Sequence, residues 1–248
     1  GIHTGFAQVV AETLDLPLES IEVIQQDTQS GPIAPVSGGS MVSYSVIPAI
    51  REASEEVRER LLKLASEHFE ASTKDLELHQ GSIRVKGVPS QMVSLTKLVK
   101  KAESSRGGEG PVMGSGKCSL PENAPAASVH WVKVKVDPET GEVTPLHYLA
   151  IQDVGFALNP MLIEGQIHGG VVQGLGWGMR EGMEFDEQGV LLNPSFMDYA
   201  LFRADEIPPI EIELIEAPSP YGPYGIRGVG EPPIVPGAAA LASALQNT

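Results

Sequence analysis

Six glycines fall between residues 165 and 178, at positions 165, 169, 170, 174, 176 and 178. They directly follow Asn159-Pro160, a cap-then-proline pair that has the form of a helix start. In a helix interior each glycine costs about 0.8–1.0 kcal/mol relative to alanine. A helix running to about Met179 therefore needs a reason for each one. Gly165, Gly169 and Gly176 are expected to share a smooth side, suited to another backbone or to a large ligand. Close helix–sheet packing would account for the glycines almost as well. It would not account for Gln166 and Gln173 among them, because buried amides need partners.

A second constrained segment is Gly225-Ile226-Arg227-Gly228-Val229-Gly230-Glu231-Pro232-Pro233. Its glycines allow close backbone approach and its prolines freeze the exit. One carboxylate, Glu231, is held between them. Such flanks are expected to desolvate it partly, which makes a carboxylate a better proton acceptor. A plain turn before a helix, with Glu231 as a solvated N-terminal charge, is the competing reading.

The rest of the chain reads as irregularly alternating helices and strands, an α+β protein of mixed sheets and packed helices. Thr4 is expected to cap a helix carrying Phe6, Val9, Val10 and Leu14, ended by Pro17. Ile21–Ile24 reads as a short strand and residues 29–40 as a loop. Ile50, Ala53, Val57, Leu61 and Leu64 recur at helical spacing, with a charged, solvated opposite face. Leu76–Leu78 and Ser82–Val85 around Gln80-Gly81 form a hairpin, and Ser94 opens a helix to about Lys101. Ser128–Val136 and Glu142–Ile151 are strands joined by a turn at Asp137–Gly141. A turn at Asp186–Gly189, a strand at Pro209–Glu216 and a helix after Pro236 complete the pattern. Residues 103–126 are the expected linker, dividing the chain into subdomains 1–105 and 127–248 around the loop 106–126.

Composition excludes several classes. The 248 residues carry a net charge of −15, the wrong sign for nonspecific binding to nucleic-acid phosphates. A single cysteine, Cys118, excludes an internal disulfide framework and a multi-cysteine zinc or iron–sulfur site. It fits a cytoplasmic setting. No apolar run approaches the ~20 residues of a membrane span, and no signal-peptide pattern is visible. The histidines lack ligand spacing, so no residue is assigned to a metal. The start at Gly1 without methionine reads as a piece of a longer chain.

Several segments, in order, resemble the molybdenum-binding subunit of the xanthine dehydrogenase and aldehyde oxidase family, the molybdenum hydroxylases. They are Gly1-Ile2-His3-Thr4 with Gln8, Asp27-Thr28, Gly38-Gly39-Ser40 and Val136–Val143. Asp153-Val154-Gly155 with Asn159-Pro160, Gly165–Gly176, Asn193–Tyr199 and Gly228–Pro233 continue the series. The resemblance is to the carboxy-terminal, second molybdopterin-binding domain, either an excised piece or one product of a split gene. It implies hydroxylation of an aldehyde or N-heterocycle with oxygen from water, at a molybdenum–molybdopterin cofactor of the cytosine dinucleotide form.

By motif match Glu231 is the general base. Gln166 is a partner of the molybdenum ligands, and Gly38, Gly39 and Ser40 approach the cofactor phosphates. Gly1, Thr4, Gln8, Gln173 and Gly230 are further cofactor-side residues. Two positions depart from the family pattern: Met41 stands where many relatives carry Arg, and His168 replaces a common Glu. The implied partners are the amino-terminal remainder of the subunit, iron–sulfur clusters and FAD on other domains or subunits, and a small-molecule substrate. No nucleic acid or membrane partner is expected, and the assembly is expected to be oligomeric. The chain alone is expected to be inactive. The alternative is a noncatalytic scaffold or subunit-interface module; a metal-independent hydrolase ranks last, for want of any nucleophile motif.

Overall fold

The glycine-dense segment is a helix, and its glycines sort onto two of its sides. The computed structural model describes residues 1–25, 27–29, 31–34, 36–104, 108–119 and 122–248. It forms two compact units: Gly1–Val36 with Val42–Pro121, and Ser37–Met41 with Glu122–Thr248. Ser30 and Pro35 of the expected loop, and residues 105–107 and 120–121 of the expected linker, lie outside the described residues.

In the first unit, α1 (Ile2–Leu14) starts at an N-cap Gly1, so Thr4 lies inside the first turn and is not the cap. The helix closes on Asp15 in the left-handed region. The Asp15 carboxylate and carbonyl then accept from the N–H groups of Gln80 (2.9 Å) and Gly81 (3.1 Å). Those two residues have φ of 46° and 75°, the positive values that a two-residue hairpin turn requires. The turn joins β1 (Leu76–His79) to β2 (Ser82–Val85), and β3 (Val88–Ser94) adds a third antiparallel strand. Ser94 caps α3 (Leu95–Ala102) by accepting from the Lys97 N–H.

The long α2 (Val42–Phe69) supplies Leu61 and Ala65 to a core shared with Leu14, Leu76, Ile83, Val93 and Leu98. Its charged face is only partly solvated. Glu56 and Glu52 accept from the backbone N–H groups of Ser115 (3.0 Å) and Lys117 (2.8 Å). Gly114 and Gly116 lie against the helix backbone: a Cβ on either would come within 2.1 or 1.8 Å of the Ala53 or Ala49 carbonyl oxygen. This described part of the expected linker is therefore clasped onto α2. The expected strand at Ile21–Ile24 does not form; these residues lie outside every described strand and three of the four are exposed. β-Branched composition favours a strand, but a ladder partner is also needed.

The second unit is built on the sheet order β4-β5-β6. Strands β4 (Ala127–Val136) and β5 (Val143–Asp153) are antiparallel, joined by the expected turn, in which Asp137 Oδ1 accepts from the N–H groups of Glu139 and Thr140. Strand β6 (Ile210–Ile215) runs parallel to β5, and α4 (Pro160–Met179) lies in the crossover between them, as a parallel pair demands. Asn159 caps α4 by accepting from the Leu162 N–H.

Ile167, Val171 and Leu175, spaced by four, bury the inner face of α4 with Val132, Tyr148 and Ala150 of the sheet. Full burial of such side chains stabilises by about 1.5–3 kcal/mol each. Gly170, Gly174 and Gly178, again spaced by four, take up Pro233, Ile234 and α5 (Gly237–Gln246). Gly165 and Gly169 form a third face, where an added Cβ would meet nothing within 4 Å. Gly176 lies in helical register with them as expected, but there the side is not open: a Cβ would strike the Glu181 carboxylate at 2.2 Å. The α+β expectation is met. Among the described residues no helix is long and apolar enough to cross a membrane.

Candidate active site

Arg227 anchors the loop that carries Glu231. Its Nε lies 3.0 Å from Asp153 Oδ2 at the end of β5 and donates to the Ala217 carbonyl, while Nη1 donates to the Pro125 carbonyl. Asp153 Oδ1 in turn accepts from the N–H groups of Gly155 (3.0 Å) and Ala217 (3.2 Å). On the other side of Glu231, Pro232–Ile234 make one short helical turn and Pro233 is buried against Gly170 of α4. The chain is thus anchored on both sides of Glu231, at Arg227 and at Pro233.

Ser40 comes to this loop from a remote part of the sequence. Gly39 and Ser40 are both left-handed, with φ of 64° and 54°. A Cβ at Gly228 would stand 2.5 Å from the Ser40 carbonyl oxygen, so only glycine admits this approach. Ser40 Oγ accepts from the Glu231 N–H at 2.7 Å and donates to Glu231 Oε2 at 2.8 Å.

Gly230 sits beside this pair. A Cβ built on it would lie 3.5 Å from Ser40 Oγ and 3.6 Å from Gln166 Oε1. Ser40, Gln166 and Glu231, drawn from a loop, the open side of α4 and the glycine–proline run, therefore gather around one residue that has no side chain. Gly38 and Gly39 lie in the same loop as Ser40. Gln173 is exposed two turns along α4 from Gln166. Gly1, Thr4 and Gln8 stand in the first unit, with Thr4 and Gln8 one turn apart on α1.

Two expectations need correction. Glu231 is exposed rather than desolvated within this chain, because its carboxylate leaves the glycine–proline run outward to meet Ser40. Gln166 and Gln173 are likewise exposed, lying two turns apart on one side of the helix that neither the sheet nor α5 covers. The buried amide of this unit is Gln152, at 0% exposure on β5. His168 bonds its own helix, Nδ1 lying 2.8 Å from the Glu164 carbonyl.

The sequence reading missed the Asp153–Arg227 pair. The signal was one basic residue inside a glycine run, with an acid following a β-strand pattern, but nothing local joins them. It also missed a polar pair on the sheet, where Nδ1 of the half-buried His130 and Oη of the buried Tyr148 are hydrogen-bonded at 2.9 Å. Burial lowers the His130 pKa to about 4 and raises that of Tyr148 to about 12.

The exposed amide of Gln166, the space at Gly230 and the uncovered backbone at Gly165 and Gly169 suit a flat, polar-edged group that needs close approach and hydrogen bonds. Residues 1–208 match the family model described as the molybdopterin cofactor-binding domain. The xanthine dehydrogenase molybdenum-binding subunit of Escherichia coli O157:H7 is 36% identical over 251 residues, covering 99% of this chain and 33% of that protein. Reconstituted CO dehydrogenase from Oligotropha carboxidovorans superposes with a TM-score of 0.88 at 29% identity, over 98% of this chain and 30% of that one. Quinoline 2-oxidoreductase from Pseudomonas putida 86 gives 0.86 at 29% identity, over 99% and 32%. This chain spans about a third of the length of each. The resemblance carried by the motifs is borne out: the chain belongs to the molybdopterin cofactor-binding domain family.

Proposed function

We propose that this chain is the carboxy-terminal cofactor-binding part of a molybdenum hydroxylase, with Glu231 as its general base. The observation that carries the proposal is the gathering of Ser40, Gln166 and Glu231 around Gly230, beside the open glycine side of α4. When bound, the molybdenum–molybdopterin group would supply an oxygen nucleophile derived from water and take up the hydride that leaves the substrate carbon.

Gln166 would hold that group by donating its amide N–H to it. The backbone N–H groups of Gly38 and Gly39 would serve the cofactor phosphates and Gln173 would add a contact; Gly1, Thr4 and Gln8 are cofactor-side residues by the family resemblance alone. Gly165, Gly169 and Gly230 admit the group closely because they carry no side chain. Glu231 would take up on Oε1 the proton given up by the water-derived nucleophile, while Ser40 engages Oε2.

The substrate class is an aldehyde or N-heterocycle, and the cofactor is the cytosine dinucleotide form. The amino-terminal remainder of the subunit completes the cradle in a cytoplasmic, oligomeric enzyme, with iron–sulfur clusters and FAD on other domains or subunits taking the electrons. Turnover by this chain alone is expected to be negligible.

The test is Glu231→Gln in the full-length enzyme. A positioned general base contributes ~10²–10⁴-fold in rate. A loss of that size at unchanged molybdenum content supports the assignment, and near-normal turnover removes Glu231 from the role.

A further inference from the structure

We propose that Ser40 is the positioning residue for the Glu231 carboxylate, an inference that rests on Glu231 acting as the base. One hydroxyl serves both the backbone and the side chain of the same glutamate: it accepts from the Glu231 N–H at 2.7 Å and donates to Oε2 at 2.8 Å. A serine hydroxyl has a single proton to donate. That proton is committed to the carboxylate, so the side chain cannot also donate to a cofactor phosphate, the role that the family resemblance assigns to it. Only the backbone N–H groups of the loop remain for an anion.

The loop is shaped for this contact. Ser40 holds a φ of 54°, which non-glycine residues seldom adopt and which persists only where the surroundings impose it. Those surroundings are the glycines of the Glu231 loop. Gly228 lets the Ser40 backbone approach, and Gly230 leaves space next to the hydroxyl, where a Cβ would sit 3.5 Å from Oγ. An exposed glutamate has three rotatable bonds and no packing to choose among its rotamers. The two bonds to Ser40 fix its backbone amide and one carboxylate oxygen together.

The experiment uses the full-length enzyme carrying Ser40→Gly or Ser40→Ala. Glycine keeps the left-handed backbone and removes only the hydroxyl; alanine removes the hydroxyl under strain. Both are expected to lower kcat by about 10–100-fold, the scale of a displaced reacting group. KM and molybdenum content should stay within about twofold, and hydrogen exchange at the Glu231 amide should accelerate. In a Glu231→Gln background Ser40→Gly should change residual kcat by less than about threefold, because the two residues act as one unit.

Wild-type kcat in Ser40→Gly overturns the inference. So does a loss of equal size in the Glu231→Gln background, or one that tracks loss of molybdenum, which would make Ser40 a cofactor ligand instead. A Glu231→Gln enzyme with normal turnover sinks the base assignment and this inference with it. A crippled Glu231→Gln beside an unaffected Ser40→Gly sinks the positioning role alone.

Discussion

Gly174 of α4 and Gly237 of α5 meet backbone to backbone: a Cβ on Gly237 would stand 2.7 Å from the Cα of Gly174. Neither residue can carry a side chain without moving a helix. This contact sets where the Pro232–Ile234 turn enters α5, and so where the adjoining Glu231 is placed.

Gly174→Ala and Gly237→Ala should therefore destabilise the protein by about 1–3 kcal/mol, the usual cost of overpacking. The intrinsic helix preference of alanine offsets this only in part. Denaturant unfolding of the full-length subunit measures the change, and an unaltered midpoint would show that α5 shifts freely.

Gly165→Ala is the opposite case. Space around Gly165 is open, so alanine should stabilise α4 by up to about 1 kcal/mol. If this side of the helix receives the cofactor, molybdenum content should fall even as the melting temperature rises. A stabilised variant with full metal content would place the cofactor elsewhere.

Asp153→Ala removes the partner of Arg227, and both side chains are mostly buried, at 16% and 17% exposure. A loss of about 2–4 kcal/mol is expected, somewhat under the ~3–5 of a fully buried pair. Arg227→Lys should cost part of this, since lysine lacks the fork that reaches Asp153, Ala217 and Pro125 together. Thermal melts and protease sensitivity around residues 225–231 report both effects.

His130 gives the second unit an acid-sensitive element. Its pKa is about 4 in the folded chain, lowered by burial from the ordinary 6.5. Between those values the unfolded chain takes up a proton that the folded chain refuses. The contribution is therefore intact above about pH 6.5 and declines as the pH falls toward 4. His130→Gln, which can still bond Tyr148, should flatten the fall in melting temperature between pH 7 and 4. Parallel curves for the two proteins would contradict this.

The elements legible from sequence were those whose signal is local. Asn159-Pro160, Ser94, Gln80-Gly81 and Asp137–Gly141 each carry their own hydrogen-bonding partner or backbone preference, and each formed as expected. Ile21–Ile24 failed because a strand needs a neighbour. β3 was missed because its residues are mostly exposed, with Pro89 among them, so no apolar alternation marks them. At the site, Gln166 and Glu231 stood out through their glycine settings. Their exposure could not be read: that of Gln166 depends on which sides of α4 the sheet and α5 leave free, and that of Glu231 on the distant Ser40 that its carboxylate turns outward to meet. The Ser40–Glu231 and Asp153–Arg227 pairs join residues far apart in the chain and leave no periodic trace.

Ser37–Met41 belongs to the second unit although the chain then departs to build α2, β1–β3 and α3 before returning at Glu122. Topologically, residues 42–121 are a detour inserted between two parts of one structure. Their length can drift over evolution without altering the register of Ser40 against Glu231, provided both ends of the detour stay fixed. Cleavage within the detour, by contrast, would leave the serine and the acid on separate polypeptides, with only packing to keep them together.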